Sequence, residues 1–574
     1  MKLTKYLSIA ALLVVSLAAQ LNAQTLAGNI AGSSALWLEA GQGVYAAGAP
    51  NSCSWTSSGT SNYYVDSRVT GPPPANAENG NLWVVWTTGS TGTCASPSAD
   101  AIIYTYMNLD STLGNRCLFA TPSCTLQLPS ADSGSAGANL LTGITDTTLS
   151  SVVYGLINNQ PETIAATDIM PVDSKFATYS ALAVCGPLSA GTQYIGLGYG
   201  PGPVGQQVNS FYSTKFFHVF DFNVYGNDPI TNSQVAGGLG YTITPVGATP
   251  VLVAVNTTDT AIPAFAGATN VTRGTLGLIF GGLLVRTADI NPTAFAGTSS
   301  SLYAGLTALI REPLSGTYNT FDHSIPNNKE IYRSMDSGNC TNGLYNPGNP
   351  MNLARAVGGT TGFRNRVIGT GEMISKIATV QDAIGFAFWS AANFGSGKIS
   401  NSNAKYLTVD GVDPLLHAYT TGQFPQTATQ LAAVTLEHVA DGSYPIWSEQ
   451  RYVTLNNNSA ATSAAAVLAT DTQSQVSFGS GATQPDFIPA PQLLVFHSHF
   501  APSFINFNST NTPSDGQRVC GAGASPEDGG DVGGLVFAQQ AGADYCVLKG
   551  NYNSPGSVGN PNGPTNEASF GIRQ

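Results

Sequence analysis

The sequence predicts an α/β fold with a parallel or mixed sheet, and three observations carry that prediction. Strand-like runs and helix-like runs alternate between about Thr249 and Tyr452, the pattern of βαβ units. The runs Leu82–Trp86, Ala101–Tyr106, Phe216–Val224, Val251–Val255 and Leu493–Phe496 are rich in aromatic or aliphatic residues and bounded by Gly, Pro, Asn or Ser, as strands are. Apolar residues recur three or four apart in Leu149–Asn158, Thr275–Phe280, Ser300–Ile310, Glu372–Val380 and Thr427–Val439, which predicts helices there. The stretches 51–100, 195–215, 455–485 and 510–574 are rich in Gly, Ser, Asn, Thr and Pro and are expected to be long loops or insertions. No repeat of fixed period occurs.

Length and charge narrow the function. At roughly 150 residues per domain, 574 residues make three or four domains, or two large ones with insertions. Charged residues are 9% of the chain, against a usual share of about 25%, while the hydrophobic share of 42% is ordinary. A chain that is neither poor in apolar residues nor highly charged folds. The formal net charge is −12 and no basic run follows Lys5. That leaves no electrostatic footprint for a phosphate backbone, so nucleic acid is not an expected partner.

The first 23 residues read as a secretory signal peptide. Lys2 and Lys5 give a basic start, Leu7–Ala19 an apolar stretch, and Leu21-Asn22-Ala23 a cleavage end before Gln24, with Ser16-Leu17-Ala18 as an earlier alternative. No later segment approaches ~20 apolar residues, so the expectation is an exported chain, periplasmic or extracellular, that is not membrane-embedded. Its eight cysteines are Cys53, Cys94, Cys117, Cys124, Cys185, Cys340, Cys520 and Cys546; in an exported chain they are expected to pair as disulfides. Proximity favours Cys53 with Cys94, Cys117 with Cys124, and Cys520 with Cys546. No Cys-x-x-Cys occurs.

Arg311-Glu312-Pro313-Leu314-Ser315-Gly316-Thr317 carries the most suggestive chemistry. A Ser-Gly-Thr turn at a helix start aims backbone N–H groups and two hydroxyls at one point, where the helix dipole favours an anion. Arg311 adds a guanidinium fork. Half a dozen charge-assisted bonds at ~1.5–3 kcal/mol each would hold an oxyanion near micromolar after the costs of association. The plainer reading is that Ser315 caps a helix and Arg311 makes a surface ion pair.

Several stretches, taken in order, resemble the phosphate-type substrate-binding proteins of ABC transporters. Ala31-Gly32-Ser33-Ser34-Ala35-Leu36 resembles the family's opening turn, and Ala166-Thr167-Asp168-Ile169-Met170-Pro171 its Ala-Ser-Asp-Ala-Pro stretch. Pro250–Val255 followed by Leu276–Gly281 is similar to its Pro- and Val-rich strand and following helix, and Arg311–Thr317 to its anion turn. Asp382–Phe386, Val409–Pro414 and Tyr444–Trp447 resemble its later stretches. Two departures stand in the anion turn: Pro313 where the family has a second Asp, and Leu314 in place of a Gly.

The resemblance implies a two-lobed periplasmic-binding-protein-like fold of type II. Each lobe is then a mixed sheet flanked by helices, with β-rich and loop-rich insertions. It divides the chain into a signal peptide (1–23), lobe 1 with insertions (24–248), lobe 2 (249–445), and a return to lobe 1 plus a loop-rich extension (446–574). Hinge crossings are expected near 240–251 and 404–445. It implies capture of a small oxyanion, phosphate above others, by hinge closure, with contacts from Ser34, Ala35, Asp168, Arg311, Ser315, Gly316 and Thr317. It also implies an ABC permease as the partner on the transport side. Asp168, if ionised, only accepts, so it favours an oxyanion that carries a proton. A further serine contact expected between the first two turns has only Thr87, Thr88 and Ser90 as candidates, because they follow a predicted strand.

No cofactor, metal or catalytic group is expected, and the chain does not read as an enzyme. The six histidines, His218, His323, His417, His438, His497 and His499, meet no Gly-x-Ser-x-Gly elbow. His497 and His499 would share one strand face, which is more often an ordinary half-exposed strand than a metal pair. Gly196–Gly202 lacks the Lys-Ser/Thr ending of a phosphate loop and reads as a turn. Phe386, Phe388 and Trp389 read as core. The competing function is a surface or extracellular protein, in adhesion, matrix or carbohydrate contact, that keeps the scaffold without a transport role.

Overall fold

Thirteen strands form one mixed sheet with helices on its faces. The computed structural model describes most of residues 24–169 and 239–497 and the strand Leu535–Phe537; 60–61, 69–72, 74–76, 260–263, 292–304, 326–362, 417–421 and 478–483 are among the stretches outside that set. The signal peptide, Phe216–Val224, Gly196–Gly202, Cys185, Cys340, Cys520, Cys546 and His499 lie outside the described residues.

The first half of the sheet is built on β1 (Thr25–Gly32), β2 (Ser52–Ser57), β3 (Leu82–Thr87), β4 (Ile102–Asn108) and β5 (Ile164–Thr167). β1 lies parallel to both β4 and β5, with Gly32 opposite Asn108 and Ala166. β2 and β3 extend the β4 edge in antiparallel fashion. The second half holds β7 (Thr307–Arg311) between β8 (Phe363–Val367) and β9 (Ala383–Phe388), all parallel.

One strand joins the halves: β6 (Tyr241–Asn256), 16 residues long. Its first ten residues pair with β11 (Trp447–Leu455), and its last six with β9 and with β10 (Ala404–Val409). β11 in turn pairs with β5. Val251–Val255 are fully buried, because strands on both edges and side chains on both faces cover them. That explains an unbroken Pro-Val-Leu-Val-Ala-Val run without polar alternation.

Helices fill the connections. α1 (Trp37–Ala47) follows β1, α2 (Ser111–Phe119) follows β4, and α3 (Ser151–Ile157) precedes β5. α4 (Arg273–Phe280) follows β6, α5 (Gly316–Ser324) follows β7, α6 (Gly369–Thr379) follows β8, and α7 (Ala391–Phe394) follows β9. α8 (Ser459–Gln473) packs on α1. Phe280, Phe321 and Phe386 form one aromatic cluster of the second half, with Phe321 and Phe386 stacked at 3.9 Å. Phe386, Phe388 and Trp389 are all buried.

Several expectations are corrected. Ser300–Ile310 is not a helix in its described part, since Thr307–Arg311 is the strand β7. All five of its residues are buried, so apolar spacing carries no periodic information there. Thr427–Val439 is two short helices, Ala428–Leu431 and Glu437–Ala440, separated by Leu436 at φ 54°. The stretch 455–485 is not loop: it holds α8, whose buried face is Ala461, Ala464, Ala465, Leu468, Ala469 and Thr472. The stretch 51–100 contains β2 besides β3. The last strand of the 493–497 region begins at Val495 and pairs with Leu535–Phe537. Disulfides join Cys53 to Cys94 and Cys117 to Cys124, as sequence proximity favoured.

Candidate functional site

Parallel strands place their carboxyl ends on one side of a sheet, and the loops leaving them form a crevice. Here two such sets face each other. β1 leads to Ser33 and Ser34, β4 to Asp110 and Ser111, and β5 to Asp168. β7 leads to Arg311, β8 to Gly369 and Thr370, and β9 to Ser390. Between them lies a cavity of about 540 Å³ whose wall includes Ser34, Ala35, Asp110, Arg311, Thr370 and Ser390.

Arg311 is buried, and its Nη1 donates to Thr370 Oγ1 at 3.0 Å while Nη2 lies 3.9 Å from Asp110 Oδ1. One hydroxyl and one carboxylate thus hold the guanidinium fork at the cavity wall. Ser34 and Ala35 face the same cavity from the turn after β1. That turn is fixed by the Ser33 N–H on the Ala166 carbonyl at 2.8 Å and by the Ala35 N–H on Ser33 Oγ at 3.2 Å. Gly32 there has φ +133°, and a Cβ on it would lie 2.0 Å from the Ala166 oxygen. Only glycine permits that approach.

Asp168, Ser315, Gly316 and Thr317 form a second set, buried and outside the cavity wall. Ser315 caps α5 by accepting from the Tyr318 N–H at 3.4 Å. Gly316 opens the helix directly against Asp168, since a Cβ on Gly316 would stand 1.5 Å from Asp168 Oδ1. The carboxyl therefore sits where the helix dipole favours negative charge. Ser111 Oγ donates to Asp168 Oδ1, and the Thr112 N–H donates to the Leu314 carbonyl at 3.2 Å. Leu314, buried, belongs to the same core cluster as Leu113 and Cys117 of α2. Burial pushes the Asp168 carboxyl up, opposed by the Ser111 hydrogen bond and by the charges of Arg311 and Arg451.

Of the plainer reading of the anion turn, the helix cap holds at Ser315, whereas Arg311 makes no surface ion pair: it is buried, with Asp110 as its carboxylate neighbour at 3.9 Å. Thr87, Thr88 and Ser90 are excluded from the cavity wall. β3 runs antiparallel to β4, so its carboxyl end meets the start of β4, where Thr87 Oγ1 accepts from the Ile102 N–H at 3.0 Å. The polar groups at the carboxyl end of the parallel strand β4 are Asp110, which lines the cavity, and Ser111, which bonds Asp168. Sequence reasoning missed them, along with Thr370 and Arg451. The signal was present in Asp110-Ser111-Thr112, a helix-capping triplet a few residues after the predicted strand 101–106.

A further carboxylate of the cavity, Glu78, is compensated by a cation. Glu78 pairs with Arg116 at 2.9 Å, and Arg116 also reaches Asp66 at 2.7 Å. Burial alone would raise the Asp66 carboxyl, but hydrogen bonds from Arg68 and the charge of Arg116 outweigh it and hold it at about 2. Glu39 is pushed well up by burial and by its buried neighbour Asp486. Asp486 also accepts from the Ala391 N–H at 2.5 Å, at the start of α7. Among the described residues, no cluster of three His, Cys, Asp or Glu side chains suits a metal ion, and no helix is long and apolar enough to cross a membrane.

No family model and no curated protein sequence matches this chain. Solved structures give remote likenesses. A putative phosphate ABC transporter substrate-binding protein with bound phosphate from Clostridium perfringens is 13% identical at TM-score 0.24, over 40% of this chain and 65% of its own. An ABC-type phosphate transport receptor from Vibrio cholerae is 15% identical at TM-score 0.23, over 40% and 66%. The chain thus spans slightly less than two thirds of each. A DING protein is 10% identical at TM-score 0.26, over 81% of this chain and 97% of its own. TM-scores this low do not establish a common fold. The structure itself supports a mixed α/β architecture with one large mixed sheet and flanking helices, its cleft at the carboxyl ends of two parallel strand sets.

Proposed function

We propose that this chain is an exported binding protein that captures a small oxyanion, phosphate above others, in the cleft between the two halves of the sheet. The observation that carries the reading is Arg311: a buried guanidinium held by Thr370 and Asp110 at the wall of a cavity that Ser34 also lines. A fixed fork in a partly desolvated cleft is suited to two oxygens of one ligand.

The halves act as lobes in this reading, residues 24–248 with the return after 446 forming one and 249–445 the other. The hinge is the pair β6 and β11, which alone among the described strands run between them. The second crossing is then Trp447–Leu455 rather than 404–445, because Ala404–Val409 pairs with the far end of β6. Closure about such a strand pair buries the ligand, and a permease reading the closed state follows from a transport role.

Asp168 gives the ligand preference. Its carboxyl lies outside the cavity wall at the first turn of α5; in this reading closure brings it to the ligand, and a ligand oxygen facing it must then share a proton with it. Sulfate, which has none at neutral pH, brings two acceptors face to face. The test is calorimetric titration of the protein with phosphate and sulfate, repeated on Asp168→Asn. We expect phosphate to bind at least ~10-fold more tightly than sulfate, about 1.4 kcal/mol, and Asp168→Asn to erase that margin because an amide donates. Sulfate binding as tightly as phosphate to the unaltered chain contradicts the role of Asp168.

A further inference from the structure

Residues 484–489 bridge the two halves of the sheet beside the hinge. Toward the first half, Gln484 Nε2 donates to Gln42 Oε1 at 2.8 Å and to Glu39 Oε1 at 3.4 Å, both on α1. Toward the second half, the Trp389 indole donates to the Pro485 carbonyl at 2.8 Å, and the Ala391 N–H at the start of α7 donates to Asp486 Oδ1. Thr249 Oγ1 donates to the Asp486 carbonyl at 3.0 Å, while Ile488 and Pro489 pair with Ala248 and Gly247 of β6. Two carboxyls meet in this bridge. Glu39 and Asp486 are each 2% exposed, and a hydrogen bond joins their side chains. Asp486 Oδ1 is taken by the Ala391 N–H, whereas the buried Oδ2 accepts from no N–H or hydroxyl among the described residues. Ionised carboxylates only accept, so a bond between the two requires a proton on one of them.

No cation supports the pair among the described residues. Its ionisable neighbours are the phenols of Tyr106 on β4 and Tyr452 on β11, both of which feel the charge of Glu39. Tyr106 also feels Asp168 and Glu162, and Tyr452 feels Asp471 of α8, the helix packed on α1. Arg311 lines the same cavity as Glu39 but is held by Thr370 and Asp110. Resting on the two-lobed reading above, we propose that Glu39 and Asp486 form a proton-operated latch: one proton between the two carboxyls ties α1 to the bridge that holds α7, and its loss lets the halves part. Two buried negative charges without a cation repel one another. Burial raises both carboxyls, and Asp486 raises Glu39 further. Groups so raised stabilise the closed arrangement at low pH and withdraw that support as pH rises through the raised values. Anion capture therefore weakens toward alkaline pH.

Small-angle scattering of the ligand-free full chain at pH 5 and pH 9 tests this, with Glu39→Gln and Asp486→Asn in parallel. Each variant places an amide N–H where the proton stood, so the bridge no longer needs one. The unaltered chain is expected to have a larger radius of gyration at pH 9 than at pH 5, and both variants the same radius at the two. Calorimetric titration with inorganic phosphate should show the affinity of Glu39→Gln, relative to the unaltered chain, rising at least ~10-fold from pH 5 to pH 9. That ratio cancels the titration of phosphate itself, because one ligand meets both proteins. An unaltered chain with one radius at both pH values, variants that expand as it does, or a constant affinity ratio overturns the latch. Scattering as expected with silence toward phosphate in all three proteins overturns the oxyanion reading and supports the latch alone.

Discussion

Replacing Leu314 with alanine removes a side chain that no ligand role requires. Leu314 is 1% exposed and belongs to the core cluster of Leu113, Cys117, Ile103 and Met107, although its own chain arrives from β7 in the opposite half of the sheet. Its carbonyl accepts the Thr112 N–H at the start of α2. The residue therefore fastens the turn before α5 to the first half of the molecule. A buried Leu→Ala change costs about 2–5 kcal/mol, through lost transfer energy and the cavity left behind. If the two halves separate on opening, that cost falls on the closed arrangement. The variant then shows a larger radius of gyration by small-angle scattering in the absence of ligand, and a phosphate affinity weakened by at least ~10-fold. If the halves do not separate, it appears as a lower denaturant midpoint with unchanged dimensions. A variant with unchanged scattering, affinity and midpoint refutes the argument that Leu314 joins the halves.

Other outcomes follow from single contacts. Gly316→Ala puts a Cβ 1.5 Å from Asp168 Oδ1, so it should destabilise by more than ~2 kcal/mol, although Gly→Ala in a helix usually stabilises by up to about 1 kcal/mol. Gly371→Ala, with nothing within 4 Å of its Cβ position, should keep the usual sign, and thermal denaturation of both reads the contrast. Asp382 is pushed up to about 7 by burial, against the Ala264 N–H it accepts from and aided by Asp259. A raised carboxyl contributes stability that is present below pH ~4 and lost as pH rises through about 7. At ~1.4 kcal/mol per unit the loss is at most about 4 kcal/mol. Asp382→Asn, which keeps the positive φ of 51° accessible, should flatten that decline; denaturant titrations at pH 5 and pH 8 whose difference matches the unaltered chain would contradict it.

Much of the architecture was legible because burial and period agree in it. Val251–Val255 and Leu82–Trp86 are apolar throughout and became covered strands. β7 was misread for the same reason: a strand flanked by two parallel neighbours shows no alternation, and its apolar residues fit helical spacing by accident. α8 was hidden by composition. Its face is made of alanines, which let helix backbones approach so closely that a Cβ on Gly43 of α1 would meet the Asp471 oxygen at 2.3 Å. In the cleft, Ser34, Ala35 and Arg311 were singled out through motif order, and the structure lines one cavity with them. Asp110, Ser111 and Thr370 were not found, because their place depends on which strands run parallel. Strand direction is a tertiary property that local sequence does not carry.

The reading turns on whether Arg311 faces a bound anion. Titrating phosphate into the unaltered chain and into Arg311→Met measures this directly. Two charge-assisted bonds at ~1.5–3 kcal/mol each predict saturable binding by the first and a loss of at least ~100-fold in the second, with the circular dichroism spectrum unchanged. Equal phosphate affinity in the two proteins, or none in either, contradicts it.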